Sequence, residues 1–310
     1  MSRLLVVDWG SSSLRAALID GDGSVVEQRS APSGMLKVER SGFDAVFEAQ
    51  LGDWMDVAGT RCLMAGMVGS RQGWVEADYV QCPCGIDDFV AHLRRVGPEA
   101  SRKGRDIAIV PGARCEVDGT PDVLRGEEVK VLGVLELLGT GDALVVSPGT
   151  HSKLMTIENG RLVRFSTAMT GEIYALLRTH SILARSMPPE SDDALDPAAF
   201  DEGVGRALGG CSLLQTAFSI RTRALFDQLP ARSLASALSG LVIGEELRCR
   251  PLDGVATVAL VGAPALTERY ARALRVRGVE TRIFDEDAVW RGLWAIDRLR
   301  RQREGKQPCP

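Results

Sequence analysis

Asp8 is followed almost directly by Gly10, Ser11, Ser12 and Ser13. A carboxylate beside one glycine and three small hydroxyl residues has the makings of a polyphosphate cradle. The turn's backbone N–H groups are unobstructed, and the acid suits the accompanying divalent metal. The same residues also suit an ordinary β-hairpin with a Ser-rich loop. A second group of the same kind follows later, at Pro148-Gly149-Thr150-His151-Ser152, where Gly149-Thr150 stands in the place of Gly10-Ser11. Two such turns in successive halves of a chain can grip a polyphosphate from both sides.

Other chemistry-bearing residues fall in loops and at helix starts. Val68-Gly69-Ser70-Arg71-Gln72-Gly73-Trp74 follows a buried strand and combines two glycines, an Arg and a Trp. Loops in that position often carry ligand contacts, although Trp74 can equally fold back into a core. Glu127 and Glu128 open a helix, where acids can simply complement the helix dipole. Gly262 ends a strand and leads into a helix, a junction at which backbone approaches a flat or anionic ligand closely.

The elements that must position these groups are legible as periodic patterns. Leu4 to Asp20 reads as strand, turn and strand, Asp20-Gly21-Asp22-Gly23 as a turn, and Ser24 to Arg29 as a third strand. Phe43, Val46, Phe47, Leu51, Trp54 and Met55 make one apolar helical face behind a Ser41–Asp44 capping pattern. Strands are predicted at Arg61 to Met67 and Asp106 to Val110, and a short helix around Ile86 to Leu93. Asp118-Gly119 and Pro121-Asp122 read as turns. The helix opened by Glu127 runs to Leu138 and stops at Gly139.

The opening pattern then repeats: strand Ala143 to Ser147, Gly-hydroxyl turn, strand Lys153 to Ile157, Asn159-Gly160 turn, strand Arg161 to Thr167. Internal duplication of this sort fixes architecture. Met169-Thr170-Gly171-Glu172 opens a helix, and 186–196 is a polar connection. The pattern from Pro197 to Leu247 is helical. Strand Thr257 to Val261, helix Ala265 to Arg275, strand Glu280 to Phe284 and helix Asp287 to Arg301 complete the fold before a frayed tail from Gln302.

The chain has 310 residues, room for two domains, with 45% hydrophobic and 25% charged residues, both globular values. A net charge of −4 argues against a general nucleic-acid or anionic-membrane binder. No apolar run approaches the length of a membrane span, and Met1-Ser2-Arg3 leads straight into a strand, so no signal peptide and a cytoplasmic address are expected. Seven cysteines stand at 62, 82, 84, 115, 211, 249 and 309, with only Cys82-Pro83-Cys84 closely paired, so they read as small apolar fillers of a reducing compartment. No Gly-x-x-x-x-Gly-Lys-Ser/Thr occurs, which excludes a P-loop kinase.

Asp8-Trp9-Gly10-Ser11-Ser12-Ser13, Ser147-Pro148-Gly149-Thr150 and Val261-Gly262-Ala263 occur in the order of the phosphate-1, phosphate-2 and adenosine motifs of the sugar kinase/Hsp70/actin superfamily. Over nearly its whole length the chain resembles the 2-dehydro-3-deoxygalactonokinase family more narrowly. That likeness is carried by Asp8 to Ser11, Ala65-Gly66-Met67-Val68-Gly69-Ser70, Arg125-Gly126-Glu127-Glu128, Ser147 to Lys153 and Met169-Thr170-Gly171-Glu172. One departure stands out. Many superfamily members place an Asp at the head of the phosphate-2 motif, where this chain has Ser147.

The resemblance implies an α/β protein of two duplicated ribonuclease H-like (actin-like ATPase) domains, residues 1–140 and 141–310. Each would be a mixed sheet flanked by helices, with the active site in the cleft between them. It implies ATP and Mg²⁺ as cofactors and phosphorylation of 2-dehydro-3-deoxy-D-galactonate on its 6-hydroxyl, in galactonate catabolism. Gly10, Ser11, Ser12, Ser13, Gly149 and Thr150 would hold the phosphates, Asp8 the metal, and Gly262 the adenine side. Arg15, His151 and Lys153 are further phosphate candidates. By comparison with glycerol-kinase-type enzymes, whose catalytic Asp opens the helix before the second hairpin, Glu127 or Glu128 is the base, although the spacing of Glu127 to Gly133 is one residue short. The substrate's carboxylate calls for an Arg, either Arg71 or Arg125, with Gly69, Ser70 and Trp74 completing the sugar pocket. The rivals are a kinase for another sugar and an actin- or Hsp70-like ATP-driven binding protein. Neither nucleic acid nor membrane is an expected partner, and a homodimer is left open.

Overall fold

The apolar run Leu4–Trp9 forms strand β1, in which Leu5, Val6, Val7 and Trp9 are fully buried. A strand covered on both faces carries a continuous rather than alternating apolar run, and β1 lies inside its sheet. It pairs antiparallel with β2 (Leu14–Ile19) and parallel with β4 (Arg61–Ala65). The computed structural model describes residues 3–97, 103, 105–189 and 194–305. Cys309 and parts of the expected 186–196 connection and terminal tail lie outside them.

The described residues form two compact units: Met1–Ala143, Met155–Phe165 and Glu286–Pro310 in one, Leu144–Leu154 and Ser166–Asp285 in the other. The expected division at residue 140 differs in two places, since both a hairpin arm and the final helix belong with the first unit. The arm is tied there by paired backbone bonds between Cys84 and Leu162, at 3.0 and 2.7 Å, and by an Arg161–Asp88 ion pair.

In the first unit, β3 (Val25–Ala31), β2, β1, β4, β7 (Ile107–Ile109) and β6 (Arg94–Arg95) make a six-stranded sheet in that order. Helix α1 (Phe43–Met55) buries Phe43, Phe47, Leu51 and Trp54 in a core shared with Leu5, Val7 and Trp9. Full burial of each such side chain contributes about 1.5–3 kcal/mol. Helix α2 (Ile86–Ala91) is short. Strands β5 (Tyr79–Gln81), β8 (Gly112–Val117) and β9 (Thr120–Leu124) form a separate three-stranded sheet. This corrects the reading of Pro121-Asp122 as a turn. Only Asp118-Gly119 turns, and Pro121 sits in β9, an edge strand, where its missing N–H costs no ladder bond.

Helix α3 (Glu127–Leu138) ends at Gly139, which takes a left-handed φ of 67° and donates to Leu135 O at 2.9 Å. It crosses α9 (Ala288–Glu304) backbone to backbone. A Cβ on Gly133 would fall 1.9 Å from Ala288 O, and one on Gly292 would fall 1.9 Å from Val129 O. Neither position tolerates a side chain without parting the two helices.

The hairpin continuing from β10 (Ala143–Ser147), with β11 (Ser152–Glu158) and β12 (Arg161–Ala168), joins β13 (Thr257–Val261) and β14 (Glu280–Phe284) in a five-stranded sheet ordered β12-β11-β10-β13-β14. This repeats the connectivity of β3-β2-β1-β4-β7. The rest of the second unit is helical: α4 (Thr170–His180), α5 (Pro197–Leu208), α6 (Leu213–Leu225), α7 (Ala231–Arg248) and α8 (Pro264–Val276). Of the cysteines, 62, 82, 84 and 115 are buried, as fillers should be, whereas Cys211 and Cys249 are exposed.

Candidate active site

In the first unit the candidate residues collect where parallel strands end. Asp8 pairs with Ala65 across β1 and β4, so Asp8 and Gly66 lie together at the carboxyl edge of these strands, where α/β folds place ligands. Residues 10–13 then turn the chain. Their carbonyls are consumed on the inner side: Gly10 O accepts from Met35 N at 2.9 Å, Ser11 O from Leu36 N at 3.1 Å, Ser12 O from Gly34 N at 3.3 Å. Among the described residues the N–H groups of Ser11, Ser12 and Ser13 donate to no protein acceptor, and Ser12 and Ser13 are exposed. That is the arrangement of an anion nest.

Gly66 has φ 95° and lies tight against this turn, since a Cβ there would stand 2.8 Å from Trp9 O and 3.2 Å from Asp8 Oδ1. Gly126, at φ 104°, packs on Gly66 in turn, with its would-be Cβ 3.2 Å from the Gly66 Cα. Two bare backbones in contact thus set the start of α3 beside Asp8. Burial raises the Asp8 carboxyl above its ordinary value, Lys130 on the first turn of α3 and Arg15 draw it back down, and Glu286 pushes it up. Nothing in the sequence pattern singled out Lys130. Its signal is its place three residues after Glu127 on the same helix.

The two acids of α3 differ sharply. Glu128 is fully buried, its Oε2 accepts from Gly126 N at 2.7 Å, and its Oε1 has no partner. Burial first, and the neighbouring Glu127 second, push it up to about 8. Glu127 is half-buried and accepts from Arg125 N at 3.1 Å. At neutral pH Glu128 therefore carries a proton, which leaves Glu127 as the better proton acceptor of the two.

The two candidate arginines also separate. Arg71 is 88% exposed and meets Glu76 at 3.5 Å. Arg125 is buried, donates from Nη2 to Ala77 O at 2.6 Å and stacks on Tyr79 at 4.3 Å from the ring centroid. Its Nε and Nη1 have no hydrogen-bond partner, nor does the buried Ser70 Oγ. Gly69 adjoins them, for a Cβ there would stand 2.9 Å from Arg125 Nη1. Trp74 packs inward instead, its ring 5.4 Å from Phe47 and 6.2 Å from Trp9. Arg15 is committed as well, to Glu286 at 2.8 Å and Asp287 at 2.7 Å, over the face of Trp290. Those ion pairs occupy the guanidinium of Arg15, one of the three further phosphate candidates.

In the second unit, Gly149 and Thr150 form the turn between β10 and β11, and their N–H groups likewise donate to no protein acceptor among the described residues. The start of α4 supports the turn. Glu172 N donates to Thr150 O at 3.0 Å, and a Cβ on Gly171 would fall 2.5 Å from Gly149 O. His151 Nε2 lies 2.6 Å from Glu172 Oε2. Lys153 is buried, with its Nζ donating to Thr167 Oγ1 at 2.7 Å. Gly262 ends β13 next to the same turn, its would-be Cβ 3.5 Å from Pro148 O.

The residues fit a hydrated Mg²⁺. Mg²⁺ keeps most of its waters and takes one or two carboxylates plus phosphate oxygens. Asp8, whose charged form is disfavoured by burial, stands beside the open amides of Ser11 to Ser13. No group of three or more metal-binding side chains occurs among the described residues.

Two sheets with the same strand order, each bearing a Gly-hydroxyl turn off its first strand, define the duplicated actin-like ATPase fold. The activator of 2-hydroxyisocaproyl-CoA dehydratase from Clostridium difficile, solved with bound ADPNP, has that fold at a TM-score of 0.53 and 13% identity over 99% of each chain. Within it the chain belongs to the 2-keto-3-deoxy-galactonokinase family, whose model matches residues 8–296. A Rhizobium meliloti (strain 1021) protein named for 2-dehydro-3-deoxygalactonokinase activity is 36% identical over 94% of this chain and 95% of its own. The Escherichia coli (strain K12) 2-dehydro-3-deoxygalactonokinase is 33% identical over 95% and 97%. A solved Sinorhizobium meliloti protein carrying the family's name superposes at a TM-score of 0.87 with 35% identity, covering 96% of this chain and 98% of its own. No helix among the described residues is long and apolar enough to cross a membrane.

Proposed function

We propose that the protein transfers the terminal phosphoryl group of ATP to the 6-hydroxyl of 2-dehydro-3-deoxy-D-galactonate. Family membership supports the substrate. The observation that carries the chemistry is the juxtaposition of Asp8, the open amides of Ser11 to Ser13 and the Glu127 helix start across the Gly66–Gly126 contact.

Phosphoryl transfer needs positioning and charge neutralisation more than covalent help. The amides of Ser11, Ser12 and Ser13 bind phosphate oxygens, and those of Gly149 and Thr150 serve the same purpose on the second turn. Gly262 leaves room for the adenine. Asp8 holds Mg²⁺ directly or through water, and the ion when bound neutralises charge on the phosphates. Glu127 takes the proton from the 6-hydroxyl as its oxygen bonds to phosphorus and ADP departs. Glu128, neutral and buried, shapes the helix start without competing for that proton. Arg125 and Ser70 receive the substrate carboxylate, and their unpartnered donors support that role.

A coupled ADP-formation assay over a panel of sugar acids and neutral sugars tests the reading. Turnover should be confined to acids with a free primary hydroxyl. Turnover confined to neutral sugars would overturn the substrate assignment.

A further inference from the structure

Glu246, near the end of α7, is buried and bonded on both oxygens. Its Oε1 accepts from Ser152 Oγ at 2.8 Å and from Arg250 Nη2 at 2.8 Å and Nε at 3.3 Å. Its Oε2 accepts from Thr170 Oγ1 and Tyr270 Oη, each at 2.5 Å. Burying a carboxylate is costly unless every lone pair is used, and here they are.

The donors come from the segments around the second phosphate turn. Ser152 opens β11, two residues after Thr150. Thr170 opens α4, beside the Gly171 that packs on Gly149 O. Tyr270 lies on α8, the helix that follows Gly262. Arg250 continues past α7 and donates from Nη1 to Ser166 O at 3.0 Å, near the end of β12. One charge therefore gathers the exit of the turn, the helix start that supports it and the helix behind the Gly262 junction.

We propose that Glu246 is a positioning residue for nucleotide binding, fixing the Gly149–Thr150 turn so that its amides are preorganised for phosphate. This rests on the phosphate-binding reading of that turn. Preorganised donors gain their strength from not having to rearrange when the charge arrives. Loss of the tether should therefore weaken ATP binding while leaving the sugar acid, which is not bound on this turn, little affected.

The test measures KM for ATP, KM for the sugar acid, kcat and Tm for full-length Glu246→Gln, Thr170→Val and Thr150→Pro, the last removing one of the turn's N–H donors. In Glu246→Gln the KM for ATP should rise about 10-fold or more, the scale on which supporting bonds act, with the sugar-acid KM within about twofold of wild type. Thr170→Val, which removes one donor and keeps the shape, should shift KM for ATP in the same direction by less. If Glu246→Gln does not fold, Thr170→Val decides. A raised KM for ATP in Thr150→Pro, with no change in folded Glu246→Gln and Thr170→Val, overturns the positioning role even if Tm falls. No change in Thr150→Pro, which lacks the N–H donor of that position, would remove the phosphate reading and the proposal with it.

Discussion

Gly126 rests on Gly66, with 3.2 Å between the Gly66 Cα and the place a Gly126 Cβ would occupy. Both residues have φ in the left-handed region, 104° and 95°, so both the conformation and the contact call for glycine. Through this contact the start of α3 is held against the turn that carries Asp8. Gly66→Ala would place a methyl group 2.8 Å from Trp9 O in a strained backbone. It should destabilise the protein by about 1–3 kcal/mol. It should also lower kcat at saturating ATP, as chemical denaturation and steady-state kinetics would show. A variant with unchanged kcat would mean that the contact does not align the site.

Glu127 and Glu128 should respond oppositely to amide substitution. Glu127→Gln removes the proton acceptor and should lower kcat by about 10²–10⁴-fold while sparing ATP binding. Glu128→Gln replaces a carboxyl that is already neutral at pH 7 and should keep most of the activity. Single-turnover rates with calorimetric ATP binding would check both. Near-normal turnover by Glu127→Gln would move the base elsewhere.

The buried Glu128 also leaves a mark on stability. Its carboxyl is raised from an ordinary 4.5 to about 8, so between those values the folded protein holds a proton that the unfolded chain has released. Stability from this group is full below pH 4.5 and falls as pH rises toward 8, at a limiting slope of about 1.4 kcal/mol per pH unit. Asp8 is shifted in the same direction, so the comparison must be with Glu128→Gln. Urea midpoints from pH 5 to 8 should decline more steeply for wild type than for that variant. Parallel curves would contradict a raised Glu128.

Arg125 and Arg71 separate by burial. Arg125→Lys replaces a planar fork with a point charge and should raise KM for the sugar acid more than KM for ATP. Arg71→Ala, on a residue 88% exposed, should change neither KM appreciably. The reverse pattern in steady-state kinetics would reassign the carboxylate site.

What could be read in the sequence was local. The Asp8 and Gly149 hairpins announced themselves because glycine, small hydroxyls and flanking apolar runs lie within one short stretch. Their repetition pointed to a duplicated fold of two mixed sheets, and the structure orders these as β3-β2-β1-β4-β7 and β12-β11-β10-β13-β14. Pro121 misled because proline usually breaks a strand, and only the edge position of β9 admits it. Arg15 was offered to phosphate because Glu286 and Asp287, its partners, lie some 270 residues away in sequence. The contrast between Glu127 and Glu128 depends on which side of α3 faces the interior, and adjacent acids give no sign of that. The Glu246 cluster joins segments that share no pattern at all.

The most direct measurement is ³¹P NMR of the product made from ATP and 2-dehydro-3-deoxy-D-galactonate. A phosphomonoester resonance coupled to both protons of one methylene group, formed in step with ADP, is the predicted result. Inorganic phosphate as the sole new species, as an ATP-driven binding protein would give, or coupling to a single proton, as from a secondary hydroxyl, would contradict it.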